Sequence, residues 1–155
     1  MAAPTPTLPP IKWLSFSHSR NGNRQFYALH ADTGEIKNLT NSSEDDWEAR
    51  WDPDGKHIVF TGIRKGQNGI FIRNLETGEE TTVMSSTEGY VDYPSFSKGG
   101  RMVSFTGGEL ERREAHIGNW NTGEIKILTR NHNFVSWTNF TPDGRWPSPP
   151  PPPPP

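Results

Sequence analysis

The sequence predicts an all-β fold built of repeated blades, and three recurrences along its 155 residues predict it. The first is a Thr-Gly-Glu turn, present as Asp32-Thr33-Gly34-Glu35, Glu76-Thr77-Gly78-Glu79 and Asn121-Thr122-Gly123-Glu124, with glycines 44 and then 45 residues apart. The second is a phenylalanine, Phe16, Phe60 and Phe105, that keeps the same two intervals. The third is an aromatic followed by a corner: Trp51-Asp52-Pro53-Asp54-Gly55-Lys56, Phe96-Ser97-Lys98-Gly99-Gly100-Arg101 and Phe140-Thr141-Pro142-Asp143-Gly144-Arg145. A period of roughly 40 to 45 residues holding several short strands is that of a propeller blade.

Each unit reads as four strands by period-2 alternation and turn chemistry. Lys12 to Ser17, His57 to Thr61 and Met102 to Thr106 are short β-rich runs, each followed by a polar loop at Ser19 to Arg24, Gly62 to Gly69 and Gly107 to Glu114. The next strands, Gln25 to His30, Gly69 to Asn74 and Ala115 to Trp120, run into the Thr-Gly-Glu turn. There Gly34, Gly78 and Gly123 supply the positive φ that a tight hairpin needs and a Cβ resists. Outer strands follow at Ile36 to Thr40, Glu80 to Met84 and Ile125 to Thr129, with a water-facing polar side. The chain then crosses to an inner strand that ends in Trp51, Phe96 or Phe140 and turns at Gly55, Gly100 or Gly144. Proline presets φ at these corners, aspartate bonds its own backbone, and glycine takes the left-handed position. No segment shows a helix with an apolar face.

Only 30% of the residues are hydrophobic, so six Trp, eight Phe and three Tyr must supply most of the core, which suits packed sheets. A net charge of −2 gives no pull toward nucleic acid or anionic lipid, and the pairs Arg64-Lys65 and Arg112-Arg113 read as solvated loop charges. There is no cysteine, and no run approaches the roughly 20 apolar residues of a membrane span. Met1 to Pro10 lacks the charge and the apolar run of a secretory signal, so the chain as written reads as soluble and cytoplasmic.

The ordered pattern of aromatic-x-Pro-Asp-Gly-Lys/Arg, an apolar strand ending in Phe-Thr, x-Thr-Gly-Glu, and a strand closing in Leu-Thr resembles the repeats of TolB-type β-propellers. It runs from about Ile11 to Trp146, as repeats at 11–51, 52–96 and 97–141 and the start of a further strand to 146. A proline-rich segment, 1–10, and a polyproline tail, 147–155, flank it; the tail reads as a polyproline II rod. The resemblance implies four-stranded antiparallel blades, commonly six around an axis, that mainly hold protein partners. It also implies a family often periplasmic or exported. Similar propellers occur as non-catalytic halves of serine peptidases and as platforms of polysaccharide lyases, so a fragment of such an enzyme, or a glycan-binding propeller, is the competing reading.

The strand count gives about three blades in a permuted phase, starting at a second strand and ending on an inner strand at Phe134 to Phe140. Closed propellers use roughly four to eight blades, so the ring is completed by a second copy or by further blades in a longer chain. The homodimer, with each copy's Phe134 to Phe140 strand completing the other's first blade, is the favoured expectation.

For chemistry, His18, His30, His57, His116 and His132 are scattered, with no metal-ligand spacing between them, and there is neither a Gly-x-Ser-x-Gly elbow nor a phosphate loop. No catalytic residue, cofactor or metal is expected. His30-Ala31-Asp32 reads as turn chemistry, and the acidic run Glu44-Asp45-Asp46-Trp47-Glu48 as a solvated loop rather than a calcium site. Candidate partner-binding residues are Asp46, Trp47, Glu48, Tyr90, Asp92, Tyr93, Phe134 and Trp137, with Ser136 beside them. They occupy corresponding places in the three units, where aromatics bordered by polar groups serve as an interface hot spot, a sugar platform, or packing between blades.

Overall fold

The computed structural model describes residues 12–20, 22–87, 89–109, 111–130 and 135–143, and among them eleven strands form three antiparallel sheets without a helix. The first sheet holds β1 (Trp13–Arg20), β2 (Asn23–His30) and β3 (Ile36–Asn38), in that order. The second is β4 (Asp46–Trp51), β5 (His57–Arg64), β6 (Gln67–Asn74) and β7 (Glu80–Ser86). The third is β8 (Tyr90–Phe96), β9 (Met102–Glu109), β10 (Arg112–Asn119) and β11 (Glu124–Ile127). These are the expected meandering blades. No helix among the described residues is long and apolar enough to cross a membrane.

Two expectations change. The polar loops at Ser19 to Arg24, Gly62 to Gly69 and Gly107 to Glu114 are mostly strand: β1–β2, β5–β6 and β9–β10 stay paired into them as far as Arg20 with Asn23, Arg64 with Gln67 and Glu109 with Arg112. Lys65 and Gly66 at φ 55° and 74° close the middle one, a pair of left-handed residues that matches the right-handed twist of the strands. Gly62 and Gly69 face each other across that hairpin, where packing rather than turning requires them: a Cβ on Gly69 would lie 2.7 Å from the Phe71 ring. The expected inner strand at Phe134 to Phe140 is also absent, since residues 135–143 belong to no sheet and Phe134 lies outside the described residues.

The Thr-Gly-Glu turns form as expected. Gly34, Gly78 and Gly123 sit at φ 71°, 75° and 76°, and their N–H groups bond the carbonyls of His30, Asn74 and Asn119 at 2.8–2.9 Å. Each turn's threonine hydroxyl accepts the following glutamate N–H, and the residue before the turn, His30, Asn74 or Asn119, accepts the threonine N–H through its side chain. Gly78→Ala is expected to cost about 1–2 kcal/mol, the price of a Cβ in the left-handed region. Gly99→Ala, at ordinary φ in open space, is the control, and a urea midpoint equal for both would refute the assignment. At the corners Gly55 and Gly100 hold φ 70° and 69°; Gly144 lies outside the described residues.

The sheets stack face to face, and the middle one is buried on both sides. Toward the first sheet it turns Ile58, Phe60 and Phe71, which pack with Phe26, Ala28 and Leu39. Toward the third it turns Val59, Ile70 and Ile72, against Val91, Val103 and Phe105. A strand buried on both faces needs a continuous apolar run, which is why β5 reads His-Ile-Val-Phe-Thr without polar alternation. Phe60 and Phe105 are fully buried, whereas their counterpart Phe16 is 38% exposed.

Candidate functional site

The inner strands β4 and β8 pack side by side along one edge of the stack, and an unusual backbone builds the surface there. β4 slips its register against β5 between Trp47 and Arg50, and β8 slips against β9 between Asp92 and Ser95. These are bulges, in which extra residues re-aim the chain. The residue at each bulge is left-handed although not glycine: Glu48 at φ 62° and Tyr93 at φ 57°. Trp137 repeats the conformation at φ 64° in the segment 135–143. Side chains in this region cost of order 1–3 kcal/mol each and concentrate at functional sites.

Hydrogen bonds between neighbouring blades hold the conformation. The Glu48 carboxylate accepts the Tyr93 N–H at 2.8 Å and the Thr61 hydroxyl at 3.4 Å. The Tyr93 carbonyl in turn accepts the Thr138 hydroxyl at 3.5 Å. The Tyr93 ring stacks on Trp137 with centroids 4.9 Å apart and planes at 19°, and Trp137 remains 67% exposed. Beside this aromatic platform lies a cleft of about 500 Å³ lined by Trp47, Glu48, Tyr90, Asp92, Tyr93 and Arg113, among others. The Arg113 guanidinium lies 4.7 Å over the Tyr90 ring and 3.3 Å from the Asp92 carboxylate.

Burial pushes the Glu48 carboxyl above its ordinary range, against the pull of the Tyr93 N–H. A raised folded-state pKa contributes stability that is complete below the unfolded pKa and is lost as pH rises through the folded one. Glu48→Gln removes that loss. Relative to wild type, E48Q is therefore expected to gain stability between about pH 4 and pH 7 in urea titrations. A parallel dependence for the two proteins would contradict the assignment.

Five of the eight residues singled out in the sequence, Trp47, Glu48, Tyr90, Asp92 and Tyr93, line this one cleft, and Trp137 stacks on its rim. Phe134 lies outside the described residues. Asp46 is corrected: its side chain has no exposed surface, and it pairs with Arg64 at 2.7 Å. Backbone conformation agrees with the expected alignment at these positions: Glu48, Tyr93 and Trp137 correspond, and Trp47, Asp92 and Ser136 lie one residue earlier.

The acidic run is not a solvated loop. Glu44 accepts the N–H groups of Lys65 and Gly66, Asp45 accepts that of Arg24 at 2.6 Å, and Glu48 that of Tyr93. The carboxylates are consumed by backbone donors of three different sheets. Among the described residues no three His, Asp or Glu side chains are grouped to hold a metal ion. Arg64 and Arg113 are likewise not free loop charges: Arg64 forms a two-pronged bond to Glu80 at 2.7 and 2.9 Å and lies over Phe60 and Phe71. Arg113 is the site residue that the sequence reading missed, because that reading put it in a loop whereas it lies in β10. Three of the described histidines serve packing and turns: His30 caps its turn, His57 contacts Asp52 at 3.0 Å, and His116 stacks on Phe105.

The arrangement offers an exposed aromatic surface beside paired charges and hydrogen-bonding groups, held on the second and third sheets and the segment 135–143. Residues 2–146 match the model of the TolB beta propeller domain. The chain belongs to the TolB β-propeller family. A TolB homolog of Chlorobaculum tepidum is 31% identical over 68 residues, 44% of this chain and 16% of that protein. An uncharacterized protein of Agrobacterium fabrum is 31% identical over 84 residues, 54% of this chain and 28% of that protein. TolB from Acinetobacter baumannii superposes with a TM-score of 0.71 at 28% identity, over 86% of this chain and 33% of that structure. The matched region spans less than a third of the length of each of these two curated relatives.

Proposed function

We propose that this chain is a non-catalytic TolB-type scaffold that binds a protein partner at the mouth of the propeller channel, in a ring completed by self-association to six blades. The observation that carries the reading is the Trp137 ring, 67% exposed yet stacked on Tyr93 and seated on a left-handed backbone. An aromatic held rigid in an exposed position loses little entropy on binding, as interface hot spots require. The adjoining cleft, with Arg113 paired to Asp92 and the Glu48 carboxylate at its wall, supplies the polar border that fixes orientation. Burial of Glu48 and Asp92 beside Arg113 serves recognition rather than proton transfer, because their capacity is taken by the Tyr93 N–H and the guanidinium.

The test is selection of displayed peptides on the wild-type protein, followed by titration of a selected peptide against W47A/Y93A/W137A. Loss of two or three hot-spot rings is expected to weaken binding about 30-fold or more while the sheets remain folded. Undiminished peptide binding by the folded triple variant would overturn the choice of surface. Binding confined to a glycan array would replace the protein partner with a sugar.

A further inference from the structure

Glu48 is a charge in the cleft that the chain does not balance. Three charged side chains line the cleft, Glu48, Asp92 and Arg113, and the last two pair with each other at 3.3 Å. Among the described residues no cation lies within ion-pair distance of Glu48. Arg50, exposed on the same strand, attracts it without bonding it. The two internal donors to Glu48, the Tyr93 N–H and the Thr61 hydroxyl, both end on Oε2, and Oε1 has no donor among the described residues. Burial holds this carboxyl above its ordinary range, the mark of a carboxylate without a balancing charge.

The third sheet shows how this fold satisfies such a group. Arg113 on β10 bonds Asp92 and lies 4.7 Å over the Tyr90 ring, so one cation serves a carboxylate and an aromatic face together. The second sheet has the acid and the rings, with Glu48 beside Trp47 and Tyr93 in the same cleft, but not the base. Arg113 pairs with Gly108 across its hairpin; Asn68 and Ile63, each 45 residues earlier, form the matching pair of the second sheet. The position that holds a guanidinium in one sheet therefore holds a neutral amide in the other, and both line the cleft.

The walls come from β4, the β5–β6 hairpin, the β7–β8 connection and β10, and enclose about 500 Å³. That is room for a long side chain and the backbone that carries it. The charge that balances Glu48 is positive, and Oε1 is the oxygen left to accept it. A guanidinium gains most by gripping both oxygens of a carboxylate, and here Oε2 is already engaged. An ammonium is a point charge on an apolar stem: it needs a single acceptor oxygen, and its methylenes lie well along aromatic rings. We propose that the cleft between the second and third sheets receives a lysine side chain of the partner, its ammonium against Glu48 and its stem along Trp47 and Tyr93. This inference rests on the protein-partner reading and names the chemistry that the partner presents.

The test titrates the fluorescein-labelled lead peptide of the display selection against wild type and E48Q, both checked as folded by circular dichroism. The peptide is expected to hold one indispensable lysine. Its replacement by norleucine, which keeps the stem and removes the charge, is expected to weaken binding to wild type about tenfold or more. Against E48Q the same replacement is expected to change affinity less than about twofold, because the ammonium has no counter-charge there. Replacement of the lysine by arginine is expected to weaken wild-type binding as well. Binding insensitive to norleucine overturns the inference, as does a lysine effect of equal size in wild type and E48Q, or an arginine that binds as tightly as lysine. In each of these cases the peptide-binding surface itself stands. Failure to select any peptide that depends on Trp47, Tyr93 and Trp137 overturns the protein-partner reading and the lysine site together.

Discussion

Arg64→Met is expected to destabilise the folded chain by about 3–5 kcal/mol, the cost of leaving a buried charge without its partner. Asp46 has no exposed side-chain surface, and Arg64 Nη1 reaches its Oδ1 at 2.7 Å while Nε and Nη2 hold Glu80. Burial opposes the charge on Arg64, but the hydrogen bonds to Glu80 and Asp46 outweigh it and raise its pKa above the usual value. Methionine fills the space over Phe60 and Phe71 and cancels none of the Asp46 charge. The double variant R64M/D46N, which removes both charges, is expected to recover much of the loss. The sign with pH is also set. Burial already raises Asp46 above its ordinary range, so its contribution is complete below the unfolded pKa and falls as pH rises. Without Arg64 that fall is steeper, so the defect measured by urea unfolding is larger near pH 7 than near pH 4. An R64M protein within about 1 kcal/mol of wild type at neutral pH would show that the pair does not hold the blade.

Phe60→Ala is expected to cost about 3–5 kcal/mol, and Phe16→Ala less than about 1 kcal/mol in the monomer, although the two residues hold the same place in their repeats. Phe60 is fully buried between the first two sheets and packs against Phe71 with centroids 5.9 Å apart. Its removal leaves a cavity whose walls, two stacked sheets, cannot collapse. Phe16 faces outward, stacked only on Tyr27 at 5.8 Å. Equal losses for the two variants at low concentration would contradict the position of the first sheet at the end of the stack.

Local chemistry explains which parts of this architecture were legible. The Thr-Gly-Glu turns and the Asp52 and Ser97 corners depend on residues within five positions of one another, so the sequence states them completely. The hairpins were misread for a related reason. Gly62, Gly69 and Gly107 resemble chain breakers, yet they sit inside strands because a neighbouring ring or carboxylate fills the space of a side chain. The better signal was the Asn21-Gly22 dipeptide, which marks a two-residue hairpin turn. At the site, Tyr93 and Trp137 stand 44 residues apart and Glu48 lies 45 before Tyr93, so their aromatic and acidic character was visible but their mutual bonds were not. Asp46 looked like its acidic neighbours. Only its position against Arg64 sets it apart.

By itself the sequence determined the blade: its period, its turns, the aromatic that closes each inner strand, and the membership in a propeller family that three ordered copies imply. Those features arise from short-range geometry, a positive φ, a capped turn or an alternating strand, and short-range geometry is written locally. The tertiary structure alone decided which carboxylates are buried, which phenylalanine is core and which is surface, and where Glu48, Tyr93 and Trp137 converge. Those outcomes depend on what lies on the far side of a sheet. Phe16 and Phe60 are the same residue in the same motif, and only the blade stacked against Phe60 makes it core.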